Sequence, residues 1–182
     1  KKKLFYMKYH NKIMQFHKPN LFGNHQIENA TMAISAILTI KKLGYRIKNK
    51  SINEGLKKTN WPGRLEKCYL KNIPVYLDGA HNIDGCKKLV DFFKNKSLNR
   101  WLIIGMLNNK DLKKFLFIIK KIITGVIAVE IPGEQNSFST KKIALTCNKL
   151  RIKCIEQNNM SSANNLILSK IKPEEIIVSG SL

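Results

Sequence analysis

Val75-Tyr76-Leu77-Asp78-Gly79-Ala80-His81-Asn82 is the stretch whose reading decides the fold. It opens with strand-forming apolar and aromatic residues and passes into Asp-Gly. An apolar period of helical spacing follows. A short apolar run closed by turn residues and succeeded by a helical pattern reads as strand, turn and helix. The unit recurs downstream. Strands are expected at 65–70, 75–77, 101–104, 126–129, 152–155 and 176–178, and helices near 84–95, 111–123, 139–150 and 161–170. Apolar strands alternating with helices of about ten residues or more argue for a parallel sheet, buried on both faces. Residues 61–182 are therefore predicted to form a doubly wound α/β domain with a mostly parallel sheet and helices on both faces. Ligand-binding groups belong on the loops at the carboxyl ends of its strands.

Working back toward the amino terminus, Asn60-Trp61-Pro62-Gly63-Arg64 interrupts all periodicity and reads as a hinge between two lobes. Before it, 4–9 and 13–17 read as short strands or a frayed edge, followed by the punctuation of Pro19 and Gly23. A long helix is expected over 25–43, carrying Ile27, Ala30, Ile34, Ile37 and Leu38 at helical spacing. Asn24 is its expected N-cap and Gly44 its stop. A second helix is expected over 52–59, where Ser51 and Glu54 have the spacing of a capping box.

The chain has 182 residues and a net charge of +21, from 33 basic and 12 acidic side chains. Such a charge raises nucleic acid as a partner. However, the basic residues are 29 Lys against 4 Arg, and they accompany 24 Ile and 19 Asn. Nucleic-acid readers favour the forked guanidinium of Arg, and these lysines form no dense block. The pattern is that of a compositional bias, and the positive field suits anionic small molecules. No apolar run approaches the ~18 residues of a membrane span. Cys68, Cys86, Cys147 and Cys154 form no C-x-x-C pair and read as reduced thiols of a cytoplasmic protein. The sequence does not start with Met and stops just after Ile176-Ile177-Val178-Ser179-Gly180-Ser181-Leu182, so it is read as a segment of a longer protein.

Three segments carry candidate chemistry, each with a structural alternative. In Gly23-Asn24-His25-Gln26-Ile27-Glu28-Asn29-Ala30, polar side chains gather at a helix amino terminus, where unpaired N–H groups and a partial positive charge favour anions. The Asn29 amide has the donor and acceptor to match an adenine edge; equally, these residues cap the helix. In Trp61-Pro62-Gly63-Arg64-Leu65-Glu66, a rigid loop presents Arg64, suited to a phosphate and to charge developing in phosphoryl transfer. The alternative is a surface pair with Glu66. In the opening segment, Asp78 at a strand end is placed to accept from a ribose or to hold Arg64, and His81 to donate to a carboxylate or phosphate. The alternative there is a turn in which Asn82 caps the next helix. No G-x-x-x-x-G-K-[ST] phosphate loop is present, and Gly105-Met106-Leu107-Asn108-Asn109-Lys110-Asp111 has one glycine only. From residue chemistry alone, this is an anion-binding α/β domain with an incomplete active site.

Taken in order, GNHQIENA (23–30), WPGRLE (61–66), LDGAHN (77–82), IGMLNNKD (104–111), IPGEQNS (131–137) and IIVSGSL (176–182) resemble the folylpolyglutamate synthase / dihydrofolate synthase family of the Mur ligase superfamily. The resemblance implies that 1–60 end a central ATPase domain and that 61–182 form most of a Rossmann-like C-terminal glutamate ligase domain. It implies an ATP-dependent ligase that joins L-glutamate to dihydropteroate or folate through an acyl phosphate. Asn29, Arg64 and Asp78 would then contact ATP; Arg64 and His81 would be catalytic; His81 and Ser181 would serve glutamate. A Tyr expected two residues after Ser181 falls beyond the sequence. The Mg2+ ligands and phosphate loop would lie upstream, leaving no metal ligand in this segment and the segment inactive alone. Closure about the hinge would bring Arg64 and Asp78 onto ATP. The resemblance also implies a cytoplasmic monomer with small-molecule partners, and neither nucleic acid nor membrane. A Mur enzyme acting on a peptidoglycan precursor is the alternative ligase, and a basic RNA- or DNA-binding module the alternative of another class.

Overall fold

The computed structural model describes residues 4–94 and 98–181. The chain divides into two compact units, Lys1–Pro62 and Gly63–Leu182.

In the first unit, β1 (Leu4–Tyr9) and β2 (Lys12–His17) form an antiparallel hairpin. Alternation along the strands sends Phe5, Met7 and Phe16 inward. They pack on Ala30, Ile34 and Leu38 of α1 (His25–Lys42) and on Ile52 and Leu56 of α2 (Asn49–Lys58). Gly44, at φ +98°, stops α1 as expected, its N–H bonded to Lys41 O.

The expected N-cap position of α1 is observed without its capping bond, and the capping box expected for the second helix is corrected. Asn24 stands at the N-cap position of α1, but its backbone is already helical and its side chain makes no capping bond. A capping side chain needs an extended backbone to fold back over the first turn. The second helix starts at Asn49, three residues earlier than expected, with Lys48 at its N-cap. Ser51 therefore lies inside the first turn, and Glu54 pairs with Lys57 at 3.2 Å instead of closing a capping box.

The second unit is built on a six-stranded sheet of order β3-β4-β8-β5-β6-β7. Its strands are β3 (Glu66–Leu70), β4 (Ile73–Asp78), β5 (Arg100–Gly105), β6 (Gly125–Ala128), β7 (Lys153–Glu156) and β8 (Glu175–Gly180). All neighbours run parallel except β3, which pairs antiparallel with β4. The doubly wound, mostly parallel α/β class expected from the alternation is the one observed.

The central strands show why they read as unbroken apolar runs. Leu102 and Ile104 of β5, Val126 and Ala128 of β6, and Ile177 of β8 face one way. Trp101, Ile103, Ile127 and Ile176 face the other. Both faces are covered, so both parities are apolar. The cover is unequal. Helices α3 (Ile83–Phe93), α4 (Leu112–Ile119) and α5 (Thr140–Lys149) pack on the first face. On the second, α6 (Met160–Leu166) and the π-helical turn Ile167–Ile171 supply Ala163 and Ile167.

At the amino ends of β5 and β8, Arg100 is fully buried. Its Nε and Nη2 donate to Glu175 Oε2 at 2.9 and 2.7 Å, its Nη1 donates to Ile122 O at 2.7 Å, and its guanidinium lies 4.4 Å from the Phe93 ring centroid. Arg100 and Glu175 face each other in register. Among the described residues, no helix is long and apolar enough to cross a membrane.

Candidate active site

The carboxyl ends of β4, β8 and β5 lie side by side: Asp78 pairs with Ser179, Ser179 with Ile104, and Gly180 with Gly105. Gly180, at φ +125°, packs its Cα directly on Gly105 O, where any Cβ would overlap the carbonyl. Because β3 runs antiparallel to β4, with Glu66 opposite Leu77, the loop leading into β3 arrives at this same edge. Segments far apart in sequence are thereby joined.

The join is specific. Asp78 Oδ2 accepts the Leu65 N–H at 2.9 Å, and Asp78 Oδ1 accepts the Ala80 N–H at 2.9 Å. Gly79 N–H donates to Gly63 O at 2.8 Å. Leu65 is buried at φ +49°, a conformation that costs a non-glycine residue about 1–2 kcal/mol. The Asp78 bond and the burial of the leucine side chain offset that cost. Arg64, between these fixed residues, is exposed. Glu66 turns to the Gly63 N–H at 2.9 Å, and among the described residues no salt bridge joins it to Arg64.

His81 Nδ1 lies 2.8 Å from Gly79 O. A carbonyl oxygen only accepts, so Nδ1 carries the proton, which leaves Nε2 of the neutral ring as an acceptor. Asn82 caps α3, accepting the Gly85 N–H at 2.8 Å. Asn82 is thus the cap that the turn reading expects, and Asp78 and His81 stand at the sheet edge.

The remaining segments close around β5. Ser181 N–H donates to Gly105 O at 2.8 Å, and Leu107 N–H approaches Ser181 Oγ at 3.4 Å. The loop after β6 is laced to the loop after β5 by Phe138 N–H to Met106 O and Asn108 N–H to Asn136 O, both 2.8 Å. Asp111 caps α4, and the Lys114 N–H that it accepts holds its carboxyl below the ordinary value. Burial pushes the Cys86 thiol up to about 12, so it stays a neutral core group.

One residue of this edge was not picked out from the sequence. Ser179, almost fully buried, donates its hydroxyl to Ala80 O at 2.9 Å. The available signal was a hydroxyl directly after the apolar run Ile176-Ile177-Val178, since a polar group in a buried strand needs a partner.

In the first unit, Gly23 at φ +100° leaves room for the His25 ring, which a Cβ would approach to 2.5 Å. Gln26 is buried, with Nε2 2.9 Å from His25 Nε2, and its Oε1 accepts from Asn29 Nδ2 at 3.1 Å. Asn29 itself is exposed, and its amide oxygen stands outside this chain of bonds. Among the described residues, no three His, Cys, Asp or Glu side chains converge on a metal position.

Residues 63–182 match the family described as Mur ligase, glutamate ligase domain. The chain belongs to the Mur ligase family. Among curated relatives, it is 36% identical over 108 residues to the dihydrofolate synthase/folylpolyglutamate synthase of Bacillus subtilis, covering 59% of this chain and 25% of that protein. It is 27% identical over 178 residues to a probable dihydrofolate synthetase of Schizosaccharomyces pombe, covering 89% and 41%. In structure it superposes on Mycobacterium tuberculosis folylpolyglutamate synthase, solved with ADP and AMPPCP, with a TM-score of 0.79 at 19% identity, over 92% of this chain and 40% of that one. That superposition carries the fold of this Mur ligase chain. The chain spans less than half the length of each of these relatives.

Proposed function

We propose that this chain is the glutamate-ligase portion of an ATP-dependent ligase that joins L-glutamate to dihydropteroate or to a folate. The observation that carries the reading is the convergence, at one sheet edge, of the PGRLE, LDGAHN, GMLNN and SGS segments, with Asp78 clamping the loop that bears Arg64. The names of the B. subtilis and S. pombe relatives support the substrate class. In this reading, residues 1–60 end an ATP-binding domain and 61–182 form the ligase domain.

The placement supports the following chemistry. ATP phosphorylates the acceptor carboxylate, the glutamate amine attacks the acyl phosphate, and phosphate leaves. Arg64, exposed on a loop fixed on both sides, offsets charge on the transferring phosphoryl group. Asn29 and Asp78 are assigned to ATP together with Arg64. Asp78 is held at the strand end by its two backbone bonds, and the Asn29 amide oxygen stands outside the Gln26 bond. Neutral His81 Nε2 is suited to accept from the glutamate ammonium; protonated, it donates to a carboxylate or phosphate. Ser181 is assigned to the glutamate side.

The deciding experiment is ATP-dependent incorporation of labelled L-glutamate by the full-length protein that carries this segment. Dihydropteroate and tetrahydrofolate are offered separately, with the 182-residue chain as control. Incorporation by the longer protein alone is expected. A folded, ATP-binding protein that uses neither acceptor would refute the folate assignment and favour a peptidoglycan-precursor ligase.

A further inference from the structure

We propose that Ser179 is a positioning residue, whose hydroxyl sets the turn that carries Asp78 and His81. The proposal rests on the ligase reading for its catalytic consequence and on geometry alone for its structural one.

Ser179 sits in β8, between β4 and β5, at the register position shared by Asp78 and Ile104. In a strand buried on both faces this site calls for an aliphatic residue. A serine there is disfavoured unless its hydroxyl is bonded, and the bond goes to Ala80 O, just past the end of the β4 ladder. Ala80 is thereby held from both sides: its carbonyl by Ser179 and its N–H by Asp78 Oδ1. The preceding residue is held likewise, Gly79 N–H by Gly63 O and Gly79 O by His81 Nδ1. The other Asp78 oxygen continues the path to Leu65. One connected set of hydrogen bonds thus runs from the core of the sheet, through the 78–81 turn, to the Arg64 loop. Ser179 is its origin in the buried sheet. Ser181, two residues on, is bonded to the β5 exit, so β8 links the residues assigned to glutamate with those assigned to ATP.

The test has two arms. In the 182-residue chain, amide hydrogen exchange is compared for wild type, Ser179→Ala, Ser179→Thr and Ser179→Cys. Ser179→Ala removes only an oxygen and is expected to speed exchange at Ala80 and Leu65 by about tenfold, with Ile103 and Ile127 unchanged. Ser179→Thr is expected to restore protection. Should its methyl prevent folding, Ser179→Cys, a weaker donor, is expected to give intermediate protection. Unchanged exchange at Ala80 and Leu65 overturns the proposal, and so does a uniform rise across all amides, which marks a merely structural role. In the full-length protein, Ser179→Ala is expected to lower kcat by about tenfold with the KM for ATP little changed. Wild-type kcat in a variant with the local exchange signature overturns the catalytic consequence. If wild type itself shows no ligase activity while the local signature appears, the ligase reading fails and the positioning of the turn stands.

Discussion

The Asp78 carboxylate accepts the Leu65 N–H across 13 residues of sequence at 2.9 Å, while its second oxygen accepts the Ala80 N–H. Two N–H donors meet two acceptor oxygens, and an asparagine supplies only one oxygen. Asp78→Asn is therefore expected to leave one N–H facing an amide N–H2 and to destabilise the second unit by about 1–3 kcal/mol. Urea denaturation measures this, and a midpoint equal to wild type would refute the clamp.

Arg64 is exposed, and the loop that bears it is fixed by backbone bonds and the Glu66 carboxylate rather than by the guanidinium. Arg64→Ala is expected to leave stability within about 0.5 kcal/mol of wild type. Turnover in the full-length protein is expected to fall by about two orders of magnitude. Parallel melting and glutamate-incorporation measurements separate the two effects, and undiminished turnover removes Arg64 from the chemistry.

Arg100 and Glu175 form a buried pair with three guanidinium bonds, two to the carboxylate and one to Ile122 O. Arg100→Met removes the guanidinium bonds to the buried Glu175 carboxylate and is expected to cost about 3–5 kcal/mol. Arg100→Met with Glu175→Leu removes both charges and is expected to recover most of that loss. A double variant no more stable than the single one, in thermal melts, contradicts this account.

Asp111 caps α4, and its carboxyl is held below the ordinary aspartate value of 3.8, chiefly by the Lys114 N–H. A depressed folded pKa means that the unfolded chain takes up the proton first. The stabilisation is complete above 3.8 and is lost as pH falls through the lower folded value. Asp111→Asn keeps a capping oxygen without the charge. The stability difference between wild type and variant is expected to shrink from about pH 6 to about pH 2, and a difference independent of pH refutes the assignment.

Much of this architecture was legible because burial imprints itself on local pattern. The continuous apolar runs of β5 and β6 announced two covered faces, and the 77–82 segment announced a strand end passing into a capped helix. The start of the second helix and the capping bonds of both helices in the first unit were misread for a definite reason. Asn24 and the Ser51/Glu54 pair have the composition of caps, but a cap depends on the backbone angle at one residue, which the path of the preceding chain imposes. Ser179 escaped because one hydroxyl after an apolar run has meaning only once its partner is known.

The sequence alone determined the α/β alternation, the approximate place of most elements and the family of the second unit, since periodicity and short motifs are local properties. Only the tertiary structure decided that β3 runs antiparallel to β4 and that β8 inserts between β4 and β5. Those two facts bring Arg64, Asp78, His81 and Ser181 to one edge. Strand order and direction are fixed by hydrogen bonds and packing between segments up to 99 residues apart, as in Ser179 to Ala80. Local propensity is silent about such partners, because the energy that selects them appears only when distant strands meet.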